Sequence, residues 1–307
     1  MVPGSRGLVA ATLGRIIRES DMTHVSDVLV FGANGQVGTA LRALTGVTAL
    51  NRQDADLLVP EVCYQAIHTR RPAVVINASA YTAVDRAEQE ENQARIINAD
   101  SPAAMARACR ELGIPLLHIS TDYVFDGTAA GPLTEAATPA PINAYGRTKL
   151  LGEQAIQSSG CQYAILRTSW VFAPQGTNFA RTMMRLSEVR KELKVVNDQI
   201  GGPTPAASIA KTLITMARQL QNGASGGLYH YAGEPWVSWY DFAQEIFRQA
   251  QREVSLIAVG SDSFPSPAKR PLNTCLDCSR IEDHFGIRRP NWKAALKHVI
   301  SADRTKL

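Results

Sequence analysis

The feature that most constrains this chain is a glycine turn at residues 32–38, which follows a short apolar run. The run at 28–31 contains β-branched valines, a pattern typical of a buried strand. Glycines at 32, 35 and 38 allow a tight turn and let backbone N–H groups approach a bulky anion. Residues 39–44 can continue as a helix, whose N-terminal end carries partial positive charge. Strand, turn and helix in this order are typical of the phosphate-binding end of a dinucleotide fold, although an ordinary tight turn fits the glycines alone equally well.

Predicted strands and helices alternate along most of the remaining chain. Further strands are predicted at 47–50, 73–76, 116–119, 163–167, 193–196 and 227–231, and helices at 62–70, from about 88, and at 101–113, 144–158, 178–191 and 208–220. Ser101 is expected to be the N-cap of its helix, with Pro102 in the first turn. This rhythm predicts an α/β fold with a Rossmann-type doubly wound parallel sheet and right-handed crossovers.

Predicted strands and helices alternate less regularly after about residue 170, which predicts a smaller C-terminal α/β substrate domain. We expect an NAD(P)-binding Rossmann domain at 27–169, with 206–230 returning to it, and a substrate-binding domain at 170–205 and 231–303. Residues 1–26 stand apart and lack the apolar core of a secretion signal. Since Met22 lies just before the first strand, it could be the natural start. Residues 1–21 are then a non-native leader, and we expect the whole segment 1–26 to be poorly ordered.

Composition excludes several classes of function. The chain has 307 residues, 45% hydrophobic and 20% charged, which is ordinary globular composition. The net charge of +4 is scattered, so we expect no nucleic-acid partner, and no apolar run reaches the roughly 20 residues of a membrane span. Five dispersed cysteines favour a reduced, cytoplasmic setting. Cys275 and Cys278 form a lone C-x-x-C without a second pair, which does not indicate a metal site.

The end of the second predicted strand bears on the choice of cofactor. An NAD site usually carries Asp or Glu there, for the ribose 2′-hydroxyl. Here the acid is missing and Arg52 follows Asn51, and a guanidinium can pair with a 2′-phosphate. We therefore expect NADPH, with NADH possible; the alternative is that Arg52 is a solvated surface residue. Asp56 and Leu57 follow on a loop where an adenine could rest.

Two further strand ends carry candidate chemistry. Small side chains at 77–80 leave space for a flat ligand across the sheet edge. Thr121 ends the fourth strand, and the i, i+4 spacing of Tyr145 and Lys149 places both on one helical face. An ammonium beside a tyrosine lowers its pKa from about 10, because it favours the phenolate. These three residues form a candidate set for moving a proton on or off a carbonyl oxygen, although Tyr-x-x-x-Lys also occurs by chance in many helices.

The order of these motifs resembles the extended short-chain dehydrogenase/reductase superfamily. Six segments are similar to one branch of it, the dTDP-4-dehydrorhamnose reductases: GANGQVG at 32–38, NASAYTAVD at 77–85, STDYVFDG at 120–127, YGRTK at 145–149, RTSWVF at 167–172 and NDQIGGPT at 197–204. The resemblance covers nearly everything from residue 27 to about 300. The superfamily motifs are unspecific about substrate, whereas STDYVF together with RTSWVF is much more specific.

The resemblance implies a role for each matching position. The pyrophosphate would be held by Gly32, Gly35, Gln36, Val37 and Gly38, and the adenosine would lie by Arg52, Asp56 and Leu57. The nicotinamide side would be lined by Ala78, Ser79, Ala80 and Tyr81, and Asn98 is a further cofactor-binding candidate. Thr121 would orient the C4 carbonyl, Tyr145 would protonate its oxygen, and Lys149 would also bind the nicotinamide ribose. The sugar would contact Thr82, Val84, Asp122, Tyr123 and Trp170, and the nucleotide-diphosphate end would be near Asn178, Gln199 and Arg270.

The implied activity is NADPH-dependent reduction of the C4 keto group of dTDP-4-dehydro-6-deoxy-L-mannose (dTDP-4-dehydro-β-L-rhamnose) to dTDP-L-rhamnose. The alternatives are a non-catalytic NADP-binding regulatory subunit of the methionine adenosyltransferase type, or a reductase of another nucleotide-4-keto-deoxysugar. Related dehydratases place an Asp-Glu pair where this chain has Asp122 and Tyr123, which favours reduction over dehydration. Some relatives dimerise around magnesium held by glutamates. The matching positions here are Ala40 and Ala207, so we expect a monomer or weak homodimer without that metal.

Overall fold

The computed structural model describes residues 27–304 of the chain, so the predictions for residues 1–26 lie outside the described residues. The strands of this part are β1 Val28–Phe31, β2 Val47–Leu50, β3 Val74–Asn77, β4 Leu116–Thr121, β5 Tyr163–Thr168, β6 Val171–Phe172, β7 Glu192–Val196, β8 Ile200–Gly201, β9 Thr204–Pro205, β10 Gly227–His230, β11 Val237–Ser238 and β12 Ser255–Val259. The helices are α1 Gln36–Arg42, α2 Pro60–Arg70, α3 Val84–Ala87, α4 Glu91–Arg95, α5 Ser101–Leu112, α6 Ala144–Ser158, α7 Phe179–Val189, α8 Ala206–Gln221, α9 Trp239–Ala250, α10 Ser279–Phe285 and α11 Trp292–Arg304.

A six-stranded parallel sheet forms the centre of the molecule, in the order β10-β5-β4-β3-β1-β2. From β1 the chain goes to β2 on one side and then crosses to β3 on the other. In open α/β sheets, ligands bind at the carboxyl ends of the strands where the order reverses in this way. The sheet confirms the predicted α/β fold with a Rossmann-type doubly wound parallel sheet.

Successive side chains of the strands pack against opposite helical layers, as the period of two requires. Leu29 and Phe31 of β1 belong to a core with α2, α5 and α6. Val28 and Val30 belong to a core with α1, α8 and α10. Because both faces of the sheet are covered, its strands are apolar runs rather than alternating ones.

Residues 91–112 form one continuous helix rather than two. A π-helical turn at Ile96–Asp100 joins α4 directly to α5. The prediction of an N-cap at Ser101 is therefore wrong, because Ser101 lies inside this helix and its hydroxyl donates to the Leu57 carbonyl oxygen at 2.5 Å. The contact ties the helix to the loop after β2.

A third core lies in the C-terminal part, between β7 and the helices α7, α9 and α11. Phe172, Phe242 and Trp292 are its largest fully buried side chains. The strand β7 pairs in parallel with β12, β6 pairs in parallel with β9, and β8 pairs antiparallel with β11. The sequence did not predict the short strands β6, β8, β9 and β11, nor β12. None of the helices within residues 27–304 combines the length and the apolar character needed to cross a membrane.

Candidate active site

A cavity of about 800 Å³ lies over the carboxyl ends of the central strands and contains both the glycine turn and the predicted catalytic residues. The predicted site residues that line it are Gly32, Gly35, Gln36, Val37, Arg52, Asp56, Leu57, Ala78, Ser79, Ala80, Thr82, Val84, Thr121, Asp122, Tyr123, Tyr145, Lys149 and Trp170. Those that do not line it are Gly38, Tyr81, Asn98, Asn178, Gln199 and Arg270. Residues that sequence reasoning missed include Asn34, Ile97, Ser120, Thr168, Ser169 and Trp239.

The glycine turn between β1 and α1 is packed too closely for side chains at two of its positions. A Cβ at Gly38 would lie 1.9 Å from the Gly32 carbonyl oxygen, and a Cβ at Gly32 would lie 2.5 Å from Ser79 Oγ. Gly32 also has a φ of +98°, a conformation that favours glycine. Gly35 caps α1 without a side-chain hydrogen bond, so the helix begins with backbone N–H groups that no capping side chain satisfies. This cradle fits the pyrophosphate of a dinucleotide.

Arg52 lies at the adenosine end of the predicted site, where its side chain is 72% exposed. Its Nε donates to Asp56 Oδ2 at 3.1 Å. The Leu58 backbone N–H and then Arg52 hold the pKa of the Asp56 carboxyl below its usual value. Asn34, Asn51 and Asp56 surround the same hollow. A guanidinium at this rim can bind a 2′-phosphate, while the Asp56 carboxylate is an acceptor for hydroxyls.

Thr121, Tyr145 and Lys149 meet on the opposite wall of the cavity. Asn143 caps α6, since its Oδ1 accepts from the Gly146 N–H at 2.8 Å. A Cβ at Gly146 would lie 2.1 Å from the Tyr123 carbonyl oxygen, so this glycine lets α6 pack tightly on the 3-10 turn Asp122–Val124 that follows β4. The tight packing brings Tyr145 to the end of β4.

The prediction that Lys149 lowers the pKa of Tyr145 is wrong for this arrangement. Burial raises the pKa of Tyr145 to about 12, and the Thr121 hydroxyl offsets this only in part. Lys149 Nζ instead donates to the Ile119 carbonyl oxygen at 2.7 Å and lies 2.9 Å from His118 Nε2. Tyr145 is consequently a neutral phenol near pH 7, the form that can donate a proton.

Asp122 is a buried carboxyl group beside these residues. The Thr121 hydroxyl donates to its Oδ1 at 3.0 Å, while its Oδ2 has no hydrogen-bond partner within residues 27–304. Burial raises the pKa of Asp122 to about 6, against the effect of the Thr274 and Thr121 hydroxyls. Asp122 lines the cavity, and its Oδ2 atom is itself buried.

Two stacked indoles form another wall. The rings of Trp170 and Trp239 are 3.5 Å apart and nearly parallel, at 6°. Trp170 has a φ of +47°, a conformation that is strained for a large side chain. Gln199 does not line the cavity, but its Oε1 accepts from Trp239 Nε1 at 3.2 Å. Sequence reasoning missed Trp239, because it lies about 70 residues beyond Trp170 and only the fold brings the two rings together.

Tyr81 and Asn98 bond to each other behind the cavity. Asn98 Oδ1 accepts from the Tyr81 N–H at 2.8 Å, and its Nδ2 donates to the Tyr81 carbonyl oxygen and to Thr148 Oγ1. The Tyr81 hydroxyl donates to Glu90 Oε2 at 2.5 Å. Their side chains therefore fix the loop after β3 relative to α6.

Asn178 and Arg270 also bond within the protein. Asn178 caps α7, and its Nδ2 donates to Gln36 Oε1 at 2.9 Å, which ties α7 to the glycine turn. Arg270 Nη2 donates to Asp85 Oδ2 at 2.8 Å, and this contact is the main reason that the pKa of Asp85 is lowered. Within residues 27–304, no three His, Cys, Asp or Glu side chains are grouped closely enough to hold a metal ion.

Comparison with known proteins identifies the family of the chain. Residues 26–305 match the family described as the RmlD substrate binding domain. The chain belongs to this family. A curated relative, the dTDP-4-dehydrorhamnose reductase of Burkholderia thailandensis, is 41% identical over 286 residues, which cover 88% of this chain and 96% of the relative. The enzyme of the same name from Escherichia coli K12 is 39% identical over 290 residues, covering 90% of this chain and 97% of its own.

Solved structures agree with this membership. A dTDP-4-dehydrorhamnose reductase from Clostridium acetobutylicum superposes with a TM-score of 0.84 at 37% identity, covering 91% of this chain and 99% of its own. The enzyme of that name from Bacillus anthracis, solved in complex with NADP, has a TM-score of 0.84 at 34% identity, with 90% and 99% covered. These findings confirm the resemblance to the dTDP-4-dehydrorhamnose reductases.

Proposed function

We propose that this chain reduces the C4 keto group of dTDP-4-dehydro-β-L-rhamnose to dTDP-L-rhamnose, with NADPH as the preferred cofactor. The observation that carries the proposal is the single cavity that holds the glycine turn at one end and Thr121, Tyr145 and Lys149 at the other. The names of the curated relatives, at about 40% identity over most of the chain, support the substrate. The NADP-bound relative supports the cofactor.

Tyr145 is the proton donor in this proposal. NADPH, when bound, supplies a hydride to C4 of the sugar. As negative charge develops on the C4 oxygen, the Tyr145 phenol donates its proton to that oxygen. Because its raised pKa keeps Tyr145 protonated near pH 7, almost every molecule holds the proton that the reduction consumes.

The neighbouring residues orient the sugar and the cofactor. When the sugar binds, the Thr121 hydroxyl turns from Asp122 Oδ1 to donate to the same oxygen, Asp122 accepts from a sugar hydroxyl, and the Trp170 ring packs against the sugar. Lys149 binds the nicotinamide ribose. The turn at 32–38 holds the pyrophosphate and Arg52 the 2′-phosphate, which fits the closely packed glycine cradle and the exposed guanidinium.

The chain organisation is also part of the proposal. We assign the cofactor to residues 27–169 and 206–230, because α8 and β10 belong to the layers of the central sheet. We assign the sugar to 170–205 and 231–303, which contain the third core. We further propose a cytoplasmic monomer or weak homodimer without bridging magnesium. Its described cysteines are free thiols, and the methyl side chains of Ala40 and Ala207 cannot ligate a metal.

Consumption of NADPH in the presence of the dTDP-keto-sugar tests the function directly. The purified chain is expected to oxidise NADPH only when this sugar is added, and the product is expected to be dTDP-L-rhamnose. Tight NADPH binding without turnover would favour a non-catalytic regulatory subunit instead. Parallel assays with UDP- and GDP-linked keto-sugars, and with NADH, test the nucleotide carrier and the cofactor preference.

A further inference from the structure

A chain of hydrogen bonds runs behind the cavity wall from the Ser79 backbone to the Lys149 amine. The Ser79 N–H donates to Asn77 Oδ1 at 3.0 Å, Asn77 Nδ2 lies 3.0 Å from His118 Nδ1, and His118 Nε2 lies 2.9 Å from Lys149 Nζ. Asn77 and His118 are fully buried, whereas Ser79 and Lys149 line the cavity. The proposed mechanism makes no use of this Asn77–His118 chain.

The direction of each bond in the Asn77–His118 chain follows from its first member. A backbone N–H can only donate, so Asn77 turns its oxygen to Ser79 and its NH₂ group to His118. An amide NH₂ group also can only donate, so His118 Nδ1 accepts and a neutral ring carries its proton on Nε2. Burial, the main cause, lowers the pKa of His118 well below its usual value, which keeps the ring neutral. The Nε2–H group therefore faces Lys149 Nζ.

This donor is compatible with only one protonation state of Lys149. An ammonium group has three donors and no acceptor, so it cannot accept a hydrogen bond from Nε2–H. A neutral amine can accept with its lone pair and still donate to the Ile119 carbonyl oxygen at 2.7 Å. Burial lowers the pKa of Lys149 to about 8, so the neutral amine that this geometry needs predominates above about pH 8.

The charged groups on the surrounding elements bond elsewhere. Glu153, one turn further along α6, is the acid that favours the ammonium, but both its oxygens accept from Arg167 of β5, at 2.9 and 2.6 Å. On the 3-10 turn after β4, Asp122 accepts from Thr121. On α4, Glu91 accepts two hydrogen bonds from Arg147 at 2.9 and 2.8 Å.

The π-helical turn and the tyrosines supply no further charge near Lys149. The π-helical turn presents the neutral Asn98 amide to α6. Burial raises the pKa values of both Tyr145 and Tyr123, so both are neutral phenols.

We propose that Asn77 and His118 are positioning residues that favour the neutral amine of Lys149 over its ammonium, and that above about pH 8 Lys149 takes up a proton when the ribose hydroxyls of a dinucleotide replace His118 as its partner. The proton comes from the solvent buffer and forms one new N–H bond on Nζ, so the step needs no further reactant. Ribose hydroxyl oxygens can accept from an ammonium, which Nε2–H cannot do. The inference rests on the proposed function only in placing a dinucleotide in this cavity.

Calorimetric titration of the intact chain with NADP⁺, in two buffers with different heats of protonation, counts the protons exchanged on binding. At about pH 8.5 a group with a pKa of about 8 is roughly three-quarters neutral, so the expected uptake exceeds about half a proton per site. A lysine with an ordinary pKa of about 10.5 would take up almost none at this pH. The cofactor's 2′-phosphate, with a pKa of about 6, does not titrate there.

Three variants separate this role from a general structural one. Asn77→Asp, which is nearly isosteric, accepts from both Ser79 N–H and His118 Nδ1–H; His118 Nε2 then becomes an acceptor for an ammonium, and the uptake should disappear while NADP⁺ still binds. His118→Gln keeps an NH₂ donor towards Lys149, so it should keep the uptake. His230→Gln is the matched control, because His230 is a buried histidine of β10 outside the cavity; it should also keep the uptake.

The outcomes are distinguishable. Binding of NADP⁺ to the unaltered chain without proton uptake would overturn the role of the Asn77–His118 chain and leave the proposed function standing. Uptake that persists in Asn77→Asp would overturn it too. Failure of the unaltered chain to bind NADP⁺ at all would refute the proposed function itself, and the inference with it.

Discussion

Replacing Asp122 by Asn is expected to stabilise the protein and to weaken its activity. Asp122 is 3% exposed, and its Oδ2 has no hydrogen-bond partner within residues 27–304. Burial raises its pKa from 3.8 to about 6. Asn is nearly isosteric, keeps an oxygen for the Thr121 hydroxyl and removes the buried charge. The gain should therefore depend on pH.

The magnitude follows from the linkage between pKa and stability. Since the folded carboxyl binds its proton more tightly than the unfolded one, stability falls as the pH rises from 3.8 to about 6, and the full cost remains at higher pH. The difference between these pKa values corresponds to about 3 kcal/mol. The asparagine side chain resembles the protonated acid, so Asp122→Asn should not lose stability as the pH rises. The free energy of unfolding of the variant minus that of the unaltered chain should therefore be about 2–3 kcal/mol larger at about pH 8 than at about pH 4.

Urea unfolding of both proteins at the two pH values measures this gap, after a check that the transition is two-state and reversible. Asp126→Asn is a matched control, because hydrogen bonds from the Thr128 backbone N–H and hydroxyl lower the pKa of Asp126. The stability of Asp126→Asn relative to the unaltered chain should change in the opposite direction, with a loss at the higher pH. A difference in unfolding free energy between Asp122→Asn and the unaltered chain that is equal at both pH values would refute the reasoning. The same variant should bind the sugar roughly ten- to a hundredfold more weakly, because a charged acceptor becomes a neutral one.

Three further perturbations test the proposed site. Tyr145→Phe should reduce turnover by roughly 10²–10⁴ and leave the NADPH dissociation constant unchanged, whereas full turnover would exclude Tyr145 as the proton donor. Arg52→Ala should weaken NADPH by roughly ten- to a hundredfold and NADH much less, as measured by fluorescence titration; equal losses would contradict a contact with the 2′-phosphate. Treatment with EDTA should leave the solution mass and the activity unchanged, and a metal-dependent dimer would contradict the inference from Ala40 and Ala207.

Local patterns in the sequence were sufficient for the framework of the fold. The six strands of the central sheet and most of its helices follow from apolar runs and helical periodicity, because both faces of a parallel sheet are buried. The glycine spacing and the Tyr145–Lys149 spacing are also local, since each lies within one turn or one helix. The strand pattern also predicted that the loop after β2 and the ends of the other strands contribute to one site, because parallel strands all end at one edge of the sheet.

Other features depend on packing between distant parts of the chain. The stack of Trp170 on Trp239, the Arg270–Asp85 ion pair and the Asn178–Gln36 hydrogen bond each join residues far apart in sequence. No periodicity or spacing could predict them, because each depends on how the third core packs beside the central sheet. Three of these residues, Trp170, Asn178 and Arg270, are placed by the resemblance at the sugar or at the nucleotide-diphosphate end, and each also makes a ring contact or a hydrogen bond within the protein.

The glycine turn and the spacing of Tyr145 and Lys149 were determined by sequence alone, because backbone conformation and spacing along one element are local properties. The approach of Thr121 to this pair depends instead on how α6 packs on the turn after β4. The protonation states of the groups around Thr121, Tyr145 and Lys149 were not determined by the sequence either. Burial raises the pKa of Tyr145 and lowers that of Lys149. The Lys149 amine contacts His118, whereas the sequence spacing predicted Tyr145 as its neighbour. Only the tertiary structure decides these states, because solvent exclusion and hydrogen-bond direction depend on every element packed around the site.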